Sequence, residues 1–305
     1  MKDLAPIVLF VYNRPEHTLK TIQALQKNIL ALESELFIYA DEAKDSSKRE
    51  SVDEVRKLIC NITGFKKVKV VKQIRNVGLA NSIISGVSEI VGIYGRVIVL
   101  EDDLVTSPYF LTYMNSALEF YSDKKDVWHI SGWNYPIEVS GLPDTFLWRT
   151  MNCWGWSTWS DRWEHFEKNT DKLIESFSND EIIEFNLNGY ENFWSQILAN
   201  KENKINTWAI YWYACIFKNR GLCLNPTTTY VNNIGLDGSG IHCGVSESYT
   251  NKLNSNLNVN FENSMIENVV ALERIKSFYK LTRKTYFKRV VNKIARIIVK
   301  RNVIK

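Results

Sequence analysis

The chain has 305 residues, 45% hydrophobic and 24% charged, a balance that excludes a disordered or collagen-like chain and allows one large core or two modest ones. Its net charge of +4 is uneven: twelve of the 38 Lys and Arg lie between Arg274 and Lys305 with no acid among them, so the remainder is acidic, which argues against a nucleic-acid partner. Five cysteines, Cys60, Cys153, Cys215, Cys223 and Cys243, form no CxxC pair and are odd in number, the pattern of reduced core thiols rather than a disulfide scaffold or zinc knuckle.

In chain order, Pro6 to Tyr12 is an apolar run and Glu16 to Leu30 carries apolar residues at helical spacing. The stretch Ala5 to Val11 is too short to cross a membrane and lacks a small-residue cleavage site, so the body is expected in the cytoplasm. Leu36 to Ala40 predicts a second strand, about Lys48 to Ile62 a polar helix, Val68 to Val71 a third strand, Leu79 to Val91 a helix, and Val97 to Leu100 a fourth strand. Four βα units of this kind specify an α/β fold with a mostly parallel sheet and flanking helices, where ligands bind at the carboxyl ends of strands. Those ends are Asn13-Arg14, Asp41-Glu42, Arg75-Asn76 and Glu101-Asp102-Asp103. Any one of them is explained by polar loops beginning there; together they converge on one edge.

The fourth end is the most demanding. In "VIVLEDDLVTSP" a buried strand runs into three adjacent carboxylates, whose like charges need solvent, donors or a cation to stay ionised. Ser107 and Pro108 read as the N-cap and first position of a following helix, so the acids sit on a short turn pinned at both ends. A divalent cation holding a diphosphate would neutralise them, since magnesium and manganese favour one or two carboxylates plus substrate phosphates.

"VIVLEDDLVTSPYF", preceded by "PIVLFVYNRPEHTLKTIQAL" and followed by "HISGWN" and "WGWSTW", resembles the GT-A (Rossmann-like) glycosyltransferases, most closely bacterial sugar transferases of the N-acetylglucosaminyltransferase I type, over roughly residues 5 to 245. The resemblance implies that Asp103 binds Mn2+ (or Mg2+), that Asp102 contacts ribose and that Glu101 reaches the donor sugar. It also implies that Arg14 binds the donor and Asp41 meets the uracil ring, with Arg75 a further donor-site candidate by its strand-end position.

All ten tryptophans lie between Trp128 and Trp212, marking a Trp-rich acceptor half. Trp159 and Trp163, four apart on an expected helix, read as core. Trp154 and Trp156 flank Gly155 in an expected loop and are candidate sugar contacts as well as core residues. "YVNNIGLDGSGIHCG", residues 230 to 244, has the glycines of a mobile lid, and His242 is a candidate second metal ligand by the resemblance, or a surface histidine. Inverting relatives carry a basic Asp in a Trp-Asp pattern, where this chain has Ala209 and Ile210. Asp237 is the first substitute for the general base and Asp161, in "WSDRW", the second.

Beyond these, Phe287, Val290, Val291, Ile294, Ile297 and Ile298 fall at helical spacing among Lys and Arg, a basic C-terminal amphipathic helix suited to an anionic membrane surface through residues 281–305, or packed on the body with a solvated cationic face. The expected organisation is a nucleotide-sugar-binding half over 1–126, an acceptor half of the same domain over 127–250, and a helical basic tail over 251–305. The expected activity is a metal-dependent, inverting transfer from a UDP-sugar to a glycan or lipid-linked glycan in surface-polysaccharide assembly, on the inner face of the cytoplasmic membrane. Two rivals stay open: a carbohydrate- or nucleotide-sugar-binding pseudoenzyme, because the usual Asp is missing, and a sugar-phosphate nucleotidyltransferase, which would need a glycine-rich loop where "FVYNRPEH" has none.

Overall fold

The structure is a computed structural model that describes residues 3–238, 249 and 251–282. Strands β1 (Ile7–Val11), β2 (Glu35–Ala40), β3 (Lys67–Lys72) and β4 (Arg96–Glu101) are parallel and lie side by side in the order β3-β2-β1-β4. Their central strands are apolar without interruption because both faces are covered. Ile7, Leu9, Ile98 and Leu100 pack with Ile22 and Leu25 of helix α1 (Pro15–Gln26) and Val55 and Ile59 of α2 (Arg49–Ile59). The alternate residues Val8, Phe10, Val97 and Val99 pack with Ile83, Val87 and Ile90 of α3 (Leu79–Tyr94). The edge strand β3 keeps Lys67, Lys69 and Lys72 exposed, which blocks pairing with another chain.

Beyond β4 come β5 (Leu104–Thr106), α4 (Phe110–Phe120), β6 (Val127–Ser131), β7 (Thr145–Trp148), β8 (Trp156–Trp159) and α5 (Ser160–Trp163). Four further helices follow, α6 (Thr170–Ser176), α7 (Asn179–Phe185), α8 (Trp194–Lys201) and α9 (Ala209–Lys218), then β9 (Leu222–Pro226) and β10 (Val231–Asn233). The main sheet continues β4-β8-β6-β9-β7, with β8 and β7 antiparallel to their neighbours. This eight-stranded, mostly parallel sheet flanked by helices is the α/β arrangement expected from the βα pattern, and it is consistent with the GT-A, Rossmann-like fold that the resemblance implies.

Three local expectations change. The acid turn leads into β5 rather than directly into a helix, because Leu104–Thr106 pair antiparallel with Val231–Asn233; α4 begins only at Phe110, although Ser107 Oγ still accepts from the Tyr109 N–H at 3.1 Å. Trp159 and Trp163 share no helix: one ends β8 and the other ends α5, and the change of backbone sends them to opposite cores. The body also extends past residue 250. The Asn254 N–H bonds Thr229 O at 2.7 Å, the Asn268 N–H bonds Leu147 O at 2.8 Å, and a helix over 269–282 buries Ala271 and Ile275. The basic tail from residue 283 lies outside the described residues. Among the described residues no helix is long and apolar enough to cross a membrane.

Candidate active site at the carboxylate turn

The register of the sheet brings Val11, Ala40 and Glu101 to one edge: Val11 pairs with Ala40, and Phe10 pairs with both Tyr39 and Glu101. Between β4 and β5 the turn Glu101-Asp102-Asp103 is fixed on two sides. Thr21 Oγ1 of α1 donates to Asp102 O at 2.9 Å, and the Ile234 N–H donates to Asp103 O at 2.8 Å.

The three like charges are met from within the chain. Arg14 Nη2 donates to Asp103 Oδ2 at 2.9 Å and also to Asp102 Oδ1. Burial opposes the charge on Arg14, yet Asp102 and Asp103 hold its guanidinium above its ordinary value. For Asp102, burial pushes the carboxyl up to about 6 against the pull of Arg14, with a further bond from the Tyr12 backbone. Glu101 is the least compensated: burial, then Asp103 and Asp102, push it up to about 8, so it favours its acid form at neutral pH.

Asp41, only 7% exposed, acts on the neighbouring loop. Its Oδ1 accepts from the Glu42 and Val77 N–H groups at 2.9 and 3.0 Å, and its Oδ2 from the Gly78 N–H at 2.9 Å and Asn76 Nδ2 at 3.1 Å. Its lone pairs thus order the loop between β3 and α3, a role visible only once the two strand ends are adjacent. Arg75 is exposed on that loop.

The segment following β10 lies over the acids. A Cβ placed on Gly235 would stand 2.1 Å from Asp103 Oδ2 and 2.8 Å from Arg14 Nη1, so any larger residue would displace these two side-chain ends. Two residues on, Asp237 Oδ2 is 3.1 Å from Nε2 of His17, in the first turn of α1. The first part of the expected lid is therefore docked on the turn; His242 lies outside the described residues.

Two sequence candidates are placed elsewhere. Trp156 opens β8 and is 1% exposed, stacked on Trp208 at 5.0 Å and on His129 at 5.4 Å, which places it in the core. Asp161 follows Trp159, which pairs with Arg96 at the other end of β4, roughly 17 Å from the acid turn at about 3.3 Å per residue. Its carboxylate is bound there by Lys125 at 2.6 Å and Arg162 at 2.8 Å. Trp154 is half-buried in the loop before β8, edge-on to Trp133 at 4.7 Å and to Tyr249 at 5.9 Å. Near it, at the carboxyl end of β6, sequence reasoning missed polar atoms that are buried with no partner among the described residues: Trp133 Nε1, Asn134 Oδ1 and Asn152 Nδ2. The quoted "HISGWN" was the available signal, since it carries β6 to its end at Ser131 and sets Trp133 and Asn134 just beyond, on the edge where ligands bind.

Three carboxylates are hard oxygen donors suited to magnesium or manganese. With Asp102 and Asp103 on Arg14, no three acids, histidines or cysteines among the described residues form a cage for a metal ion. A single carboxylate such as Asp103 would need the phosphates of a ligand to complete the coordination of a cation.

Residues 7–129 match the family model described as Glycosyl transferase family 2, which supports a glycosyltransferase. That span is less than half of the chain and contains β1 to β4, Arg14 and all three acids. The crystal structure of S. aureus TarS is 16% identical over 45% of this chain and 23% of its own, with a TM-score of 0.30, a likeness too slight to bear on fold or function. No curated protein matches the sequence.

Proposed function

We propose that the protein transfers a hexosyl or N-acetylhexosaminyl group from a UDP-linked donor to a glycan or lipid-linked glycan, with inversion at the anomeric carbon. The observation that carries this reading is the Arg14-compensated carboxylate turn at the sheet's carboxyl edge, inside the span that matches Glycosyl transferase family 2. Arg14 has five donors and a permanent charge for a departing diphosphate, once released from Asp103. Asp102 serves the ribose, Glu101 the donor sugar, and Asp41 holds the 76–78 loop in shape for the base. A manganese or magnesium ion on Asp103 would supply Lewis-acid stabilisation of the diphosphate. Trp154, with the unpartnered Trp133, Asn134 and Asn152 atoms nearby, offers the mix of ring faces and polar groups that a sugar needs.

Asp237 is the general base in this reading. As the acceptor oxygen forms its bond to the anomeric carbon, the bond to the diphosphate breaks, the electron pair leaves on the phosphate oxygen, and the hydroxyl proton passes to the Asp237 carboxylate. The basic tail attaches the protein to an anionic membrane surface, where a lipid-linked acceptor would lie. The test is slow donor hydrolysis, which needs no acceptor: a panel of nucleotide sugars is incubated with manganese and release of nucleoside diphosphate is measured. Release from a UDP-sugar by the wild type and not by Asp103→Asn is expected; no release from any donor would overturn the proposal.

A further inference from the structure

Helix α1 carries one polar face that the catalytic reading uses only in part. Arg14, His17, Thr18 and Thr21 are spaced three and four apart, so they share a side of the helix. Thr18 and Thr21 are fully buried; Thr18 Oγ1 bonds back to Arg14 O at 2.8 Å, and Thr21 Oγ1 bonds Asp102 O. The helix is therefore tied to the acid turn, and its side chains have fixed positions relative to it. His17 is the remaining member of the face. Its side chain is 13% exposed against 49% for Asp237, so the histidine is the more deeply seated of the two.

We propose that His17 is a positioning residue for the base, its Nε2–H fixing the plane of the Asp237 carboxylate; this rests on the reading of Asp237 as the base. A carboxylate only accepts, so the ring proton lies in the 3.1 Å contact. The segment itself does not need this bond to stay docked. It is already held by the β10–β5 ladder and by Ile234 N–H to Asp103 O, while the Gly235 N–H bonds Asn233 Oδ1 at 2.7 Å. What the histidine adds falls on the side chain, since the terminal torsion of an aspartate is broad and a hydrogen bond to one of its oxygens narrows it. One helix face thereby carries both ends of the displacement: Arg14 toward the leaving diphosphate and His17 toward the group that takes the acceptor proton. His17 keeps its own proton throughout and touches no substrate.

The full-length protein tests this in two ways. In 1H–15N spectra of the four histidine rings, with His17→Gln supplying the assignment, Asp237→Asn should move the His17 ring signals; unmoved signals would overturn the contact. In UDP release from the donor found in the hydrolysis panel, His17→Ala should lower turnover roughly tenfold to a hundredfold, as misplacement of a reacting group does, with donor KM and UDP affinity nearly unchanged. His17→Gln, which keeps a donor in reach, should recover most of the loss. The double variant His17→Ala/Asp237→Asn should be no slower than Asp237→Asn alone. Wild-type turnover in His17→Ala, additive losses, or a Gln variant as slow as Ala would each overturn the proposal while leaving Asp237 as the base. Full activity in Asp237→Asn would instead overturn the base assignment beneath it.

Discussion

Gly235 is the narrowest point of the site. Its backbone lies where a Cβ would meet an Asp103 oxygen at 2.1 Å and Arg14 Nη1 at 2.8 Å, so a side chain there has to push these two side-chain ends aside. Gly235→Ala should therefore displace the segment or break the Arg14–Asp103 contact. We expect donor hydrolysis to fall at least tenfold while the urea midpoint moves by no more than overpacking allows, about 1–3 kcal/mol. Activity kept at the wild-type level would show that the segment does not pack on the acids in solution. The acids, Arg14 and Asp41 were legible from the chain because strand ends in a parallel sheet share one edge. The role of Asp41 as a clamp, the closeness of Gly235 and the His17–Asp237 pair were not, since each joins residues far apart in sequence and no local pattern encodes the distance between them.

Strand β8 shows how far periodicity reaches. "WGWSTW" reads as a loop because Gly155 interrupts it, yet Gly155 takes a left-handed φ of 64° and the chain enters β8 directly after it. Trp156 consequently joins the ring cluster with Trp208 and Trp163, and Trp156→Ala should cost about 3–5 kcal/mol by urea unfolding, with a smaller loss for the half-buried Trp154→Ala. Equal losses would contradict the placement. Strand β6 makes a second testable statement through His129, which is fully buried, accepts from Trp212 Nε1 at 3.2 Å on Nδ1 and bonds Asn152 O at 3.0 Å through Nε2. Burial lowers its pKa from 6.5 to about 3. The folded chain then binds fewer protons than the unfolded one between those values. The stability His129 contributes is complete above pH 6.5 and is lost toward pH 3, at about 1.4 kcal/mol per pH unit. Buried Glu101 and Asp102, with raised values, act in the opposite direction, so the comparison is with His129→Gln. The wild-type urea midpoint should fall more steeply than the variant's from pH 6.5 to 4; parallel slopes would contradict the buried neutral ring.

The eight-stranded sheet is shared by two compositions: the Val- and Ile-rich first half supplies the strand ends, and the Trp-rich second half adds β6 to β9 beside them. The expected division near residue 126 is thus a change of composition within a continuous sheet. Residues 251–268 form no helix or strand and are tied to the second half by backbone hydrogen bonds such as Asn254 N–H to Thr229 O and Asn268 N–H to Leu147 O, which leave no periodic trace in the sequence. Membrane attachment is proposed for the basic tail alone. Deleting residues 283–305 should release the protein from vesicles rich in anionic lipid, each basic side chain near the surface adding about 1 kcal/mol, and should leave UDP binding intact. Equal sedimentation of full-length and truncated chains would contradict it.

The most direct measurement is calorimetric titration of UDP with manganese into the wild type and Asp103→Asn. The turn is held by its backbone, and Arg14 keeps its bond to Asp102, so the variant should fold. Manganese-dependent binding of UDP by the wild type, lost in Asp103→Asn with the unfolding transition unchanged, is the predicted result. Equal binding by the two proteins, or no binding by the wild type, would contradict the assignment of this turn as the donor site.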